Sequence, residues 1–339
     1  MSVERFENLD GLRAYSCIGI VLMHVLSNIH LGLTGYVYQC LIPSFTHLVL
    51  LFLLISAFSM CCGYYEKIKS NSIGLEDFYK RRYQRVWPFF ALLCTIELLV
   101  EHSLPSLYEW FADLSLAFGL LPNADISVVG VGWFIGLIFA FYMVFPFFVF
   151  LIGNKKRAWF VFCVAVILNV LCRVYFFDEA HVNSSFVDRT NIIYVAVFLV
   201  SGGLLYLYRN EIKRSARVIR WINGGVLIGS VLLYFTVLPS IYTLLVLYSS
   251  ITILAIIEEG HIAKLIFQNK VVRFISSISM ETYLCHMFVF RFYERVVLSR
   301  LKLSGPIVYW LTAIVVIISA IVMAWVFKLL LGKIQKKQP

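Results

Sequence analysis

Residues 131–152 read VGWFIGLIFAFYMVFPFFVFLI, a run of 22 residues without one charge. A helix that crosses a bilayer needs roughly 20 mostly apolar residues, with a range of about 17 to 25, and this run meets that length. Working outward from it, nine further runs meet the same criterion, at about 9–30, 41–62, 86–102, 158–177, 191–208, 219–237, 240–258, 275–298 and 305–331. The composition agrees. Hydrophobic residues make up 61% of the 339 and charged residues 14%, against about 25% charged in soluble domains. The expected fold is therefore an all-α integral membrane protein of about ten transmembrane helices. Almost nothing remains outside the runs to build an appended soluble domain, so residues 1–339 are expected to form a single membrane domain.

The charges fix the expected orientation. Lys67, Lys69, Lys80, Arg81, Arg82 and Arg85 fall between the second and third runs, and residues 103–130 carry no Lys or Arg. Lys155, Lys156 and Arg157 follow, then a loop whose one basic residue is Arg189. Arg209 to Arg220, an uncharged turn near Pro239, Lys264 to Arg273 and Lys333 to Lys337 continue the alternation. By the positive-inside rule both termini lie in the cytoplasm; Arg300 and Lys302 alone run against it. Counting the apolar stretch 107–121 as a span would put Lys155, Lys156 and Arg157 outside, so it is read as an outer-face or re-entrant helix stopped by Pro122. No cleavable signal peptide is expected, because Asp10 and Arg13 precede the first run and no small-residue cleavage site follows it. A net charge of +10 scattered in short clusters, rather than gathered in a patch, argues against a nucleic-acid partner. Most of the eight cysteines lie in apolar stretches without C-x-x-C spacing and are expected as free thiols, with no metal.

Chemistry in such a chain has to come from polar groups inside the bilayer, where a central Arg, Lys or Asp costs roughly 2.5–3.5 kcal/mol. Those groups are Arg13, His24, Glu97, Arg173, Glu281, His286, Arg291 and Glu294. Arg13 and His24 are 11 residues apart, so at about 100° and 1.5 Å per residue they share one helix face, roughly 16 Å apart. A fixed cation near the cytoplasmic surface and an imidazole in the outer half suit a long ligand with an anionic head. Taken alone, Arg13 also fits a snorkelling interface residue, and His24 a hydrogen-bonded core histidine. Asp10 is expected to N-cap the first helix or to brace Arg13, and Ser56 to pack between helices.

Phe6-Glu7-Asn8-Leu9-Asp10-Gly11-Leu12-Arg13, with His24 after ten intervening residues, resembles the opening signature of the acyltransferase family 3, multi-span bacterial O-acyltransferases of cell-surface glycans. Three later stretches are similar to that family in the same order: Leu51 to Phe58, Arg82-Tyr83-Gln84-Arg85-Val86-Trp87-Pro88, and Ile278 to His286. Leu53 and Ala57 depart from its second-helix pattern and Met280 from its late one, while Ile138 stands where many members carry a Glu between Trp133 and Tyr142. Glu97 or Glu281 is left to supply a carboxylate.

The resemblance implies transfer from cytoplasmic acetyl-CoA, or another short acyl-CoA, to a sugar hydroxyl of a cell-surface polysaccharide or lipid-linked glycan, in a bacterial inner membrane. Arg13, Arg81, Arg82 and Arg85 would hold the donor's phosphates, since a guanidinium binds phosphate oxygens in a bidentate way. Arg82 and Arg85 share a face only where the third helix begins early. His24 is expected as general base or acyl-carrying nucleophile. His286 would orient it, stabilise an oxyanion or pack. The partners are then an acyl-CoA donor, a glycan acceptor and the bilayer. A transporter or flippase for a glycan or small acid suits the same composition, as does a family member that binds acyl-CoA without turnover.

Overall fold

A computed structural model describes residues 5–120, 130–182, 184, 186–297 and 303–335. Among these the chain is helical throughout, with no strand. The helices are α1 (Glu7–Ile29), α2 (Leu48–Met60), α3 (Leu75–Glu101), α4 (Leu104–Leu114), α5 (Trp133–Leu151), α6 (Lys155–Leu171), α7 (Ile192–Arg214), α8 (Ala216–Thr236), α9 (Ile241–Ile257), α10 (His261–Phe267), α11 (Lys270–Ser277), α12 (Ser279–Val296) and α13 (Gly305–Gln335).

Eight helical runs are long and apolar enough to cross a membrane: α1, Val37–Lys69 around α2, α3, α5, Lys155–Phe176, α7, α8 and Gly305–Lys333. There are nine if α9 and α10, bent by 117°, count as one broken span. The chain is a multi-span membrane protein. The two remaining expected runs also fall on helices, and each misses the criterion for a visible reason. α9 has 17 residues, and α12 carries Glu281, Arg291, Glu294 and Arg295. The stretch 107–121 does not form one long helix. α4 has 11 residues, about 16 Å at 1.5 Å each against a core of roughly 30 Å. It ends at Leu114, and Leu116 takes a left-handed φ of 58° that breaks the helix ahead of a short turn at Phe118–Leu120. Pro122, the expected stop, lies outside the described residues, as do Arg300 and Lys302. Indole N–H groups fix α4 to α3, Trp87 donating to the Leu114 carbonyl at 2.9 Å and Trp110 to Thr95 Oγ1 at 3.0 Å.

α1 is the central post. It packs against α2, α10, α11, α12 and α13, so Arg13 and His24 both face protein. Beside it, α2 and α7 press together so tightly that a Cβ on Gly202 would sit 2.3 Å from the Leu54 carbonyl oxygen and 2.9 Å from Ala57 Cβ. Small residues at a helix contact allow that approach. The contact also explains how Ala57 is tolerated at this place in α2: the opposing residue has no side chain. α6 and α8 lie at the periphery and turn large apolar side chains outward, among them Phe160, Trp221, Ile222 and Ile228. A soluble monomer rarely exposes so much contiguous apolar surface; a bilayer covers it.

Candidate active site

Helix start sites decide which arginines converge. α3 begins at Leu75, well before its apolar part, so Arg82 and Arg85 are already helical and neighbours at i and i+3. α2 runs on through a π turn at Cys61–Tyr65. The extra residue in such a turn rotates the side chains after it, and Tyr64 is aimed at Arg82. These elements enclose a cavity of about 440 Å³ between α1, α2, α3, α5, α11 and α12.

One end of the cavity is a ring of guanidinium groups from Arg5, Arg13, Arg82, Arg85 and Arg273. Asp10 accepts from Arg5 at 2.7 Å and from Arg13 at 3.0 Å, while Arg13 also donates to Ser59 Oγ at 2.5 Å. Asp10 thus braces two arginines and does not cap α1, which starts three residues earlier, at Glu7 behind Phe6. Arg273 donates to Glu7 at 2.7 Å and Arg85 to Glu281 at 3.3 Å. Arg82 has no carboxylate partner among the described residues. It donates to the Tyr64 hydroxyl at 2.7 Å and lies over the rings of Tyr64 and Tyr142, at 4.8 and 5.7 Å. Its buried Nε has no hydrogen-bond partner among those residues either. Five guanidinium groups against three carboxylates (Glu7, Asp10 and Glu281) leave this mouth at +2. A preoriented arginine with spare donors is what a phosphate needs.

The other end of the cavity closes on Phe134 and Tyr283, whose rings are 5.5 Å apart. Tyr283 donates its hydroxyl to the Val131 carbonyl at 3.0 Å, tying α12 to the start of α5. Behind Tyr283 the two histidines meet. The His286 ring is 5.8 Å from that of Tyr283 and 5.1 Å from that of His24. His286 is fully buried. Its Nδ1 lies 2.5 Å from the Tyr283 backbone carbonyl, an atom that can only accept. The proton therefore sits on Nδ1, and in the neutral ring Nε2 carries the lone pair. That Nε2 has no partner among the described residues. A buried acceptor left open in this way is costly, and it marks the place where a donor hydroxyl would be welcome.

Of the residues singled out in the sequence, Arg13, Arg82 and Arg85 line one cavity, His24 and His286 form a pair just beyond it, and Glu281 holds Arg85. Arg81 is exposed and does not line the cavity. Glu97 is elsewhere: it accepts from Arg291, farther along the same two helices. Ile138 lines the cavity as an apolar wall. Ser56, expected as a packing residue, lines it too. Arg5, Arg273, Ser59, Tyr64 and Tyr142 were not foreseen. Arg273 was visible as part of a basic loop, but nothing in its spacing separates a site residue from ordinary loop charge. Lys328 of α13 donates to the Ser277 carbonyl at 2.9 Å. Among the described residues no three His, Cys, Asp or Glu side chains are grouped as metal ligands.

A family model described as an acyltransferase domain matches residues 6–329. An uncharacterized protein of Haemophilus influenzae is 24% identical over 239 residues, covering 59% of this chain and 97% of its own. No solved structure matches.

Proposed function

Because this chain belongs to the acyltransferase domain family, we propose that it moves an acetyl group, from acetyl-CoA or a close short-chain analogue, to a sugar hydroxyl of a cell-surface glycan. The membrane would be the bacterial inner membrane, with both termini and the arginine mouth in the cytoplasm. The observation that carries the reading is the arrangement along α1. A ring of arginines, in which Arg82 has no carboxylate partner among the described residues, surrounds one end of the cavity, and beyond the other end stand the rings of His24 and His286, 5.1 Å from each other.

In this reading Arg82 and Arg13, with Arg85, hold the phosphates of coenzyme A, and the pantetheine arm runs toward Tyr283. The acceptor hydroxyl comes from the opposite side. Its oxygen attacks the thioester carbonyl as its proton passes to an imidazole nitrogen. The carbon–sulfur bond breaks, and the departing thiolate takes a proton from the imidazolium. His24 fits the base, because its helix is fixed by Arg13 at the mouth. His286, with its Nδ1 proton committed to the Tyr283 carbonyl, fits a positioning residue whose Nε2 accepts a hydrogen bond from His24 and so orients that ring. A general base contributes typically 10²–10⁴-fold.

The test is mass spectrometry of the host's surface polysaccharide in wild-type, deletion and His24→Ala strains. An acetyl increment of about 42 Da, the mass of C2H2O, present in wild type and lost in both mutants with the glycan still exported, is the expected result. A glycan absent from the surface of the deletion strain would favour transport, and an unchanged profile would reject this acceptor class.

A further inference from the structure

At the end of the bundle opposite the arginine mouth, one cation is held in an unusual place. Arg189 sits in the short turn Asp188–Thr190 that leads into α7. The turn is well anchored: Thr190 bonds back to the Val187 carbonyl through both its backbone N–H, at 2.9 Å, and its hydroxyl, at 2.7 Å. Asn191 then caps α7, accepting from Ile193 and Tyr194. Arg189 is half-buried, and its guanidinium lies 5.7 Å from the centre of the Trp133 ring. Among the described residues it makes no ion pair. The adjacent Asp188 carboxylate accepts the Arg189 backbone N–H at 2.7 Å. Burial lowers the Arg189 pKa and Asp188 opposes that, yet an arginine stays protonated in either case.

From Arg189 a continuous line of rings leads to the histidines. Trp133 touches Phe134 at 5.8 Å, Phe134 touches Tyr283 at 5.5 Å, Tyr283 touches His286 at 5.8 Å and His286 touches His24 at 5.1 Å. A half-buried guanidinium whose donors have no side-chain or carbonyl partner among the described residues, beside an indole wall, is a recognisable pair. The cation takes anionic oxygens, and the indole takes the apolar face of a sugar ring.

The geometry points to Arg189 and Trp133 as an acceptor subsite for an anionic carbohydrate, whose carboxylate or phosphate rests on Arg189 while its ring lies against Trp133. That this ligand is the acyl acceptor rests on the acyltransferase reading; the anion site stands without it. Nothing in the donor chemistry needs a cation at this end.

The full chain in nanodiscs is titrated with glucose, glucuronate and glucose 1-phosphate, with coenzyme A present to occupy the arginine mouth. Binding is read by saturation-transfer NMR. Wild type should bind at least one anionic sugar about tenfold tighter than glucose, the weight of one charge-assisted bond. Arg189→Lys should keep most of that preference, and Arg189→Gln should lose it with glucose and coenzyme A binding unchanged. Preference for glucuronate alone assigns a carboxylate, and for glucose 1-phosphate alone a phosphate. No anionic preference in wild type, or an equal one in Arg189→Gln, overturns the proposal. Because the readout is binding, failure of acyl transfer in a parallel assay would count against the reaction and leave the subsite intact.

Discussion

Replacing Gly202 with alanine drives a methyl group into the backbone of α2. The new Cβ would stand 2.3 Å from the Leu54 carbonyl oxygen and 2.9 Å from both Ala57 Cβ and Phe58 N. Ordinary contact begins at 3.4 Å, so α2 has to retreat by roughly 1 Å (3.4 − 2.3) along that line. Two of the obstructing atoms are main-chain, and no rotamer change can move them. Overpacking of this kind costs about 1–3 kcal/mol, and the better helix propensity of alanine returns up to about 1 kcal/mol. The net expectation is a loss of about 1–2 kcal/mol. Gly203 is the internal control. A Cβ there meets the tips of Ile152 and Phe148, at 2.8 and 2.9 Å, and side-chain tips can rotate away, so Gly203→Ala should be close to neutral. The damage at position 202 also reaches the arginine mouth. Ser59 on α2 accepts from Arg13 at 2.5 Å, and a retreat of about 1 Å takes that bond past hydrogen-bonding range. Thermal unfolding in detergent and acyl-CoA binding should both fall for Gly202→Ala and hold for Gly203→Ala. Ala57→Gly in the same chain relieves the methyl contact but not the carbonyl one, and therefore should not rescue Gly202→Ala. Full rescue, or equal stability of the two alanine variants, would refute the reasoning.

Arg13→Ala or Arg82→Gln should weaken acyl-CoA binding by about tenfold, the loss of one charge-assisted contact; calorimetric titration showing unchanged affinity in both would remove the phosphate site from this mouth. Arg291→Ala strands the buried Glu97 carboxylate and should be destabilising, though by less than the roughly 3–5 kcal/mol of a fully buried pair because Arg291 is itself 38% exposed, whereas Glu97→Gln combined with Arg291→Gln should cost clearly less in the same unfolding assay, because no uncompensated charge remains.

The apolar runs were legible because lipid and protein neighbours both demand apolar side chains, so length and hydropathy located every helix that passes the span criterion. α12 shows where that signal fades. Glu281, Arg291, Glu294 and Arg295 dilute its hydropathy, and they are retained because two of them pair with α3. Helix bounds were less visible. α3 was expected from 86 but begins at Leu75, since its first three turns stand among charges and hydropathy counts only apolar residues. That early start is what turns Arg82 and Arg85 inward together. On the site, the 11-residue spacing placed Arg13 and His24 on one face. The Asp10 brace on Arg13 is local, i to i+3 on α1, and was one of the two roles expected of Asp10; the His24–His286 contact depends on tertiary packing between α1 and α12. Arg5 and Arg273 belonged to the site from the start, but one basic residue in a cytoplasmic-type loop looks like any other until the fold closes around a cavity.

α3 and α12 are joined by two charge pairs whose polarity is exchanged. At the mouth the arginine is on α3 and the carboxylate on α12, as Arg85 with Glu281. Farther along, the carboxylate is on α3 and the arginine on α12, as Glu97 with Arg291. The pairs are 12 residues apart on α3 and 10 on α12, about 18 and 15 Å of rise, so the two helices run the same way and cross slightly between the pairs. In both pairs the carboxylate is buried and the arginine partly exposed, and such pairs add little net stability, because desolvation of the carboxylate offsets much of the attraction. What the exchange does accomplish is discrimination. Reversing one helix would set Arg85 beside Arg291 and Glu97 beside Glu281, like charges in a low-dielectric setting, which is strongly unfavourable. Two arginines on one helix and two carboxylates on the other would have tolerated either direction. The arrangement that costs apolar character in α12 therefore fixes its direction against α3, and with it the side of the protein on which His286 meets His24.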